Sequence, residues 1–148
     1  MPAAPPARPY DILLVEDDIA DALLIEEALT QSLTPRRIAQ VPDGVAALER
    51  LRDPDAPRPD LILLDLNMPR MNGRELLSVL KNDDDFKMIP TVVLTTSGAP
   101  EDVAAAYRNH SNAYITKPVN FDDFTHAVRS IDTFFLGTAT SPSIGGSR

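Results

Sequence analysis

The chain has 148 residues, no cysteine and a formal net charge of −8 at pH 7. That length suits one domain with a full hydrophobic core. The acidic balance disfavours a nucleic-acid partner, because phosphate backbones bind basic surfaces, and the lack of cysteine excludes disulfides and thiolate metal sites. No apolar stretch is long enough to span a membrane, and the N-terminus lacks a hydrophobic signal core, so we expect a cytoplasmic protein without a membrane partner.

Short apolar runs alternate with helix-length segments along the chain. We expect a flexible Pro/Ala-rich arm over residues 1–9, a folded body over 10–136 and a Gly/Ser/Thr-rich tail over 137–148. The predicted strands are Tyr10–Val15, Arg37–Val41, Leu61–Leu64, Thr91–Leu94 and Ala113–Thr116. The predicted helices are Asp18–Ser32, Gly44–Arg52, Gly73–Lys81, Pro100–Asn109 and Phe121–Leu136. Five alternations of strand and helix predict a doubly wound α/β fold with a parallel sheet.

Three local signals refine this prediction. Asp18 is the expected N-cap of the first helix, and the pair Asp43-Gly44 predicts a turn into the second. The strand Arg37–Val41 is less apolar than the others, which favours an edge position. The run of three aspartates at 83–85 lacks the spacing of a calcium loop and is interpreted as a solvated loop.

Polar residues of different chemical kinds follow four of the predicted strands. Glu16 and Asp17 follow the first, Asp65 the third, Thr95 the fourth and Lys117 the fifth. In a doubly wound sheet, ligands bind in the crevice outside the carboxyl ends of the strands. The sequence therefore predicts a site with carboxylates, a hydroxyl and an ammonium group, which suits phosphate and metal chemistry.

Four motifs carry a resemblance to a known family. Val-Glu-Asp-Asp, Leu-Leu-Asp-Leu-Asn-Met-Pro, Leu-Thr-Thr-Ser and Tyr-Ile-Thr-Lys-Pro occur in the order and spacing of the receiver domain of two-component response regulators. The chain resembles that family over residues 10–136. The resemblance implies a flavodoxin-like (βα)5 fold with strand order 2-1-3-4-5.

The resemblance also implies roles for the residues at the strand ends. Asp65 would accept a phosphoryl group, although an isolated Asp after a strand is often only structural. Mg²⁺ would be bound by Asp17, Asp65 and the backbone carbonyl of Asn67, with Glu16 acting through water. Asp18 is not expected to be a primary ligand.

Further residues would contact or sense the phosphoryl group. Lys117 would supply positive charge and precede a cis peptide bond at Pro118; Thr95 would donate its hydroxyl, and Tyr114 would then rotate inward as a switch. An ordinary strand-end threonine and an ordinary strand aromatic remain the alternatives. Three more positions flank the phosphate or the path of the hydrolytic water: Asn67, Ser97 and Thr96, the last at a position where the family usually has a smaller residue.

The expected partners follow from the same resemblance. About a dozen residues follow the last predicted helix, so we expect output through protein contacts or onward phosphotransfer rather than through a DNA-binding domain. The Leu-Thr-Thr-Ser motif and the Phe-Phe-Leu-Gly-Thr-Ala-Thr tail resemble stand-alone receivers paired with phytochrome-type histidine kinases, which include homodimers. We therefore expect a histidine kinase of this type as partner and a homodimer that uses the last helix and strand. Phe134 and Leu136 lie off the apolar stripe of the last helix and form either a dimer surface or the end of the core.

The sequence leaves two other classes of protein open. A hydrolase of the haloacid-dehalogenase type also uses an aspartyl nucleophile and Mg²⁺, but Asn67 stands where its acid/base aspartate would be, which argues against turnover. A pseudo-receiver scaffold would lack at least one site residue. Because none of the expected residues is missing, the sequence favours an active phosphoacceptor switch over an enzyme or a scaffold.

Overall fold

The computed structural model describes residues 10–30, 36–66, 68, 71, 73–95, 104, 113–116 and 121–132. Within them, five strands are formed: β1 (Tyr10–Val15), β2 (Arg36–Val41), β3 (Leu61–Leu64), β4 (Thr91–Thr95) and β5 (Ala113–Thr116). Four helices accompany them: α1 (Ile19–Thr30), α2 (Gly44–Arg52), α3 (Gly73–Lys81) and α4 (Phe121–Asp132). The expected arm, the tail and the predicted helix Pro100–Asn109, apart from Ala104, lie outside the described residues.

The strands form one parallel sheet in the order β2-β1-β3-β4-β5. This confirms the predicted flavodoxin-like fold and the edge position of β2. Val15 pairs with Val41 on one side and with Leu64 on the other, so the carboxyl ends of β1, β2 and β3 are level. The chain segments that leave these three strands therefore start from the same edge of the sheet.

Helices cover both faces of the sheet, because the central strands are apolar on both sides. Leu61, Ile62, Leu63 and Leu64 of β3 are all at most 1% exposed. Alternate residues of β1 and β3 pack on one side against α2 and α3, and the remaining ones pack on the other side against α1 and α4. This two-sided core fixes the sheet and thereby the positions of the loops that leave its carboxyl edge.

Aspartate caps determine where two of the helices begin. The backbone N–H of Asp21 donates to Asp18 Oδ1 at 3.1 Å, and that of Ala46 donates to Asp43 Oδ1 at 2.9 Å. Each side chain satisfies a backbone donor of a first helical turn that has no partner within its helix. Both predicted helix starts are confirmed, with Asp18 as the cap rather than the first residue of α1.

None of the helices in the described part of the chain combines the length and apolar character needed to cross a membrane. The longest, α1 and α4, have 12 residues each. A spanning helix needs about 20.

Candidate functional site

Three carboxylates meet at the carboxyl edge of the sheet. Glu16, Asp17 and Asp65 each offer an oxygen atom, and these atoms all lie within 4.8 Å of one another. Glu16 is 1% exposed and Asp65 is 8% exposed, whereas Asp17 is open to solvent. The structure therefore brings these three residues together as predicted, and the carboxylate of Asp17 is accessible from solvent.

The backbone of the sheet holds two of these residues in place. The N–H of Glu16 donates to the carbonyl oxygen of Val41, and the N–H of Asp65 donates to that of Val15, both at 3.0 Å. The parallel hydrogen-bond ladder thus continues one residue beyond the strands. Both carboxylates are attached to rigid backbone, which is the arrangement that a preorganised site requires.

Side-chain hydrogen bonds further secure the loop after β1. The N–H of Asp18 donates to Glu16 Oε2 at 3.3 Å, and Gln40 Nε2 donates to the carbonyl oxygen of Glu16 at 2.5 Å. Glu16 therefore orients the start of α1 in addition to its place in the cluster. Sequence reasoning missed Gln40, because its partner lies 24 positions away and no local pattern marks such a pair.

Gly73 is a second residue that the sequence analysis did not assign to the site. It begins α3, and its N–H donates to the carbonyl oxygen of Leu66 at 3.0 Å. A Cβ atom built on Gly73 would overlap the carbonyl oxygen of Asp65 and lie 2.6 Å from the Cα of Leu66. Only glycine allows α3 to start this close to Asp65, and the available signal was a Gly at a predicted helix start.

The cluster has the chemistry of a divalent-cation site. Three carboxylates at this separation repel one another, and two of them are shielded from water that would otherwise screen the repulsion. Mg²⁺ takes oxygen ligands, is bound through one or two carboxylates and keeps several waters. The cluster offers such carboxylates, and its exposed member, Asp17, leaves one side open to those waters. The residues present therefore fit such an ion.

Two of the remaining predicted site residues lie on β4 and β5. Thr95 ends β4, and its Cα pairs with that of Thr116 on β5; Tyr114 pairs with Val93. These pairings put Thr95 and the end of β5 at the carboxyl ends of the strands, where Asp65 also lies. The structure describes the backbone of Thr95 and Tyr114 but not their side chains. Seven predicted positions lie outside the described residues altogether: Asn67, Thr96, Ser97, Lys117, Pro118, Phe134 and Leu136.

A doubly wound parallel sheet of this order, with clustered carboxylates at the ends of its first and third strands, defines an α/β protein with a candidate cation site at the carboxyl ends of its strands. The family model of the response regulator receiver domain matches residues 12–129. The chain thus belongs to the response regulator receiver family, and its resemblance to that family is confirmed.

Curated and solved relatives agree with this assignment. Response regulator Rcp1 of Synechocystis sp. is 45% identical over 139 residues, covering 91% of this chain and 95% of the relative. The phosphorylated cyanobacterial phytochrome response regulator RcpA is 46% identical, covering 92% of this chain and all of that one, with a TM-score of 0.88. The Mn²⁺-bound form of Rcp1 is 45% identical with a TM-score of 0.87, covering 91% of this chain and all of that one.

Proposed function

We propose that Asp65 is the phosphoacceptor through which this response regulator receives its signal. A carboxylate oxygen of Asp65 attacks the phosphorus of a phosphohistidine, a P–O bond forms, and the P–N bond to the histidine breaks with return of the electron pair to the imidazole. The observation that carries the proposal is the convergence of Glu16, Asp17 and Asp65 within 4.8 Å at the edge of the sheet. The product is a protein acyl phosphate, and the protein acts as a switch rather than as an enzyme with small-molecule turnover.

Mg²⁺ is the proposed cofactor of this site. Asp17 and Asp65 would bind it directly, with the carbonyl oxygen of Asn67 as a further ligand and Glu16 acting through water. When bound, the ion neutralises the carboxylates and the incoming phosphoryl oxygens. The acidic cluster supports this, and the Mn²⁺-bound form of Rcp1 shows that a relative takes a divalent metal.

Other residues complete the proposed phosphoryl pocket. Lys117 would neutralise a phosphoryl oxygen, with its chain direction set by Pro118, and the Thr95 hydroxyl would donate to another. Tyr114 would act as the aromatic switch and rotate inward once Thr95 binds the phosphoryl group. Thr96, Ser97 and Asn67 would set the lifetime of the acyl phosphate. The ends of β4 and β5 at the edge that carries Asp65 support this assignment.

The proposed signalling partner is a phytochrome-type histidine kinase in the cytoplasm. RcpA is described as a phytochrome response regulator, and its 46% identity to this chain supports a related partner. We further propose a homodimer that uses Phe134 and Leu136, and no nucleic-acid contact, in keeping with the net charge of −8. Light scattering at micromolar concentration, with and without phosphorylation, tests the dimer: a monomer under both conditions would contradict it.

Intact-mass spectrometry tests the phosphoacceptor directly. The protein is incubated with acetyl phosphate and Mg²⁺, beside Asp65→Asn and a chelator control. We expect one phosphoryl adduct that requires both Asp65 and the metal. Asp60→Asn is a matched control, because Asp60 is a buried aspartate at the amino end of β3, away from the carboxyl ends where Asp65 lies.

Two outcomes would contradict the proposal. If no adduct forms and beryllofluoride produces no Mg²⁺-dependent complex, the site does not accept a phosphoryl group and the protein is a scaffold. Sustained release of phosphate from small phosphoesters by the wild type, lost in Asp65→Asn, would instead identify a hydrolase.

A further inference from the structure

A cavity towards the amino ends of β1 and β2 is separate from the acidic cluster at their carboxyl ends. It encloses about 110 Å³ between β1, β2, the end of α2 and the loop that joins α2 to β3. Its apolar wall belongs to the core under α2 and to two prolines of the loop: Leu13, Ala39, Leu51, Pro57 and Pro59. The lining combines this wall with three charged side chains, those of Asp11, Arg37 and Arg50.

The charged side chains of the cavity do not neutralise one another completely. Arg37 donates two hydrogen bonds to the carboxylate of Asp11, from Nε to Oδ1 at 2.9 Å and from Nη2 to Oδ2 at 3.1 Å. In the part of the chain that the structure describes, Arg50 has no carboxylate partner. Two guanidinium groups and one carboxylate therefore leave the described lining with one positive charge in excess.

Both guanidinium groups keep hydrogen-bond donors for a ligand. A guanidinium has five N–H donors, and the bonds from Arg37 to Asp11 use two of them. The side chain of Arg37 is 54% exposed and that of Asp11 only 9%, so Arg37 lies at the open side of the cavity, whereas Arg50 is half-buried. Because both arginines line the same small cavity, an anion inside it can accept hydrogen bonds from β2 and from α2.

The walls of the cavity are held in place by hydrogen bonds of the protein itself. The N–H of Asp60 donates to the carbonyl oxygen of Asp11 at 2.7 Å, and the N–H of Asp11 donates to Asp60 Oδ2 at 2.9 Å. The N–H of Asp53 donates to the carbonyl oxygen of Arg50 at 3.2 Å, which fastens the start of the loop to α2. The two prolines that line the cavity stiffen the rest of the loop. A ligand would not have to order these walls, which lowers the cost of binding.

Charge and wall together select the kind of anion. The carbonyl groups at the end of α2 oppose an anion, but their partial charge is only about half that of the guanidinium of Arg50 in the same turn. One excess positive charge matches a monoanion. A fully polar anion such as phosphate would place oxygen atoms against Leu13 and Leu51 without hydrogen-bond donors, which is costly. The cavity therefore suits one negative charge attached to an apolar group.

We propose that this cavity binds a small monocarboxylate with a short apolar body. The carboxylate accepts hydrogen bonds from Arg37 and Arg50, and the apolar body lies against Leu13 and Leu51. An apolar cavity of about 150 Å³ holds benzene, so a volume of about 110 Å³ suits a smaller body such as a short branched alkyl group. Binding here does not depend on phosphoryl transfer, because the cavity and the acidic cluster lie towards opposite ends of the strands.

Isovalerate is the probe, since it joins one carboxylate to a short branched alkyl group. The isotope-labelled full-length chain is titrated with it at constant ionic strength, and amide chemical shifts report both the place and the strength of binding. We expect saturation with a Kd on the order of 1 mM and the largest shifts around Leu13, Ala39 and Leu51. Isovaleramide has the same shape without the charge, and acetate has the charge without the body. Each should bind at least about tenfold more weakly.

Two arginine variants test the assignment, with a dispersed amide spectrum as the check that each is folded. Arg50→Met keeps much of the apolar stem but loses the guanidinium, so isovalerate should bind about tenfold more weakly. Arg52→Met is the matched control, because Arg52 lies in the same helical turn, is exposed and does not line the cavity; it should bind as the wild type does.

The same titration separates this inference from the proposed phosphorylation. Isovalerate binding should persist in chelator and in Asp65→Asn, where the phosphoryl adduct should vanish. The proposal would be overturned if no saturable shifts occurred around the cavity or if isovaleramide bound as well as isovalerate. Equal weakening in Arg50→Met and Arg52→Met would also overturn it, because the anion would then respond to the general charge of the helix end.

Discussion

The backbone of Asp65 lies so close to Gly73 that residue 73 has no room for a side-chain atom. A Cβ atom on Gly73 would overlap the carbonyl oxygen of Asp65 and lie 2.9 Å from its carbonyl carbon. Both obstacles are backbone atoms at the end of a buried strand and cannot rotate away. The start of α3 and the position of the proposed phosphoacceptor are therefore set by the same contact.

Gly73→Ala should consequently damage both the fold and the site. We expect a loss of about 1–3 kcal/mol in the free energy of unfolding, because the backbone of Asp65 or α3 must shift. We also expect slower phosphorylation by acetyl phosphate among the molecules that remain folded. Gly44→Ala is the comparison: its Cβ would lie 2.7 Å from Met71 Cγ and 2.8 Å from Met71 O, so it should cost stability without moving Asp65. Equal phosphorylation rates in the two variants would contradict this view.

Asp17→Asn should separate charge repulsion from metal binding. Without divalent metal, removal of one of three clustered carboxylates should stabilise the protein by on the order of 1 kcal/mol. In the wild type, free Mg²⁺ at ten times its Kd should add about 1.4 kcal/mol, and the variant should show little of that gain. Thermal unfolding over a Mg²⁺ titration measures both effects.

The matched control for Asp17 is its neighbour Asp18. Asp18→Asn removes the same charge one position further along, while asparagine still caps α1. Its thermal midpoint should rise with Mg²⁺ as the wild type does. A Mg²⁺ response lost equally in both variants would show that the ion recognises overall acidity and not the Asp17 ligand.

Asp60 should matter for stability and not for the site. Its Oδ2 accepts a hydrogen bond from the N–H of Asp11 at 2.9 Å, and Asp11 in turn pairs with Arg37 at 2.9 Å. Asp60→Ala would remove the acceptor of a buried N–H, so urea denaturation should show a loss of about 1–3 kcal/mol. Asp60→Asn keeps an acceptor oxygen and should lose less. Both variants should retain wild-type Mg²⁺ affinity. A weakened affinity would show that Asp60, at the amino end of β3, affects the carboxylate cluster at the carboxyl ends of the strands.

Burial removes hydration from the Lys81 amine and lowers its pKa, which predicts a specific pH dependence of stability. In the folded protein the amine loses its proton near pH 8, and in the unfolded chain near pH 10.5. Between these values the unfolded state binds more protons, so stability relative to Lys81→Met should rise with pH. After allowance for solvent exposure, the gain is on the order of 1 kcal/mol. Urea denaturation of both proteins at several pH values measures it; a constant difference would contradict the desolvated state of Lys81.

The sequence predicted what depends on local patterns. The apolar run Leu61–Leu64 and the cap Asp18 gave element bounds that agree with the structure within a few residues, and the strand-end carboxylates converge as expected. It could not reveal the contacts of Gln40 with Glu16 or of Gly73 with Asp65. These depend on how separate segments approach each other, and neither residue type has a propensity that encodes its distant partner.

The hydrogen bonds from Gln40 to Glu16 and from Glu16 to Val41 link the outermost strand to the acidic cluster. An edge strand has a neighbour on one side only, so it is the part of a sheet that opens most easily. Opening of β2 would release the loop that carries Glu16 and Asp17, and cation binding there would oppose that opening. A cation bound at this site would therefore lower the frequency at which β2 detaches from β1, and a protein with a detached β2 would bind the cation more weakly.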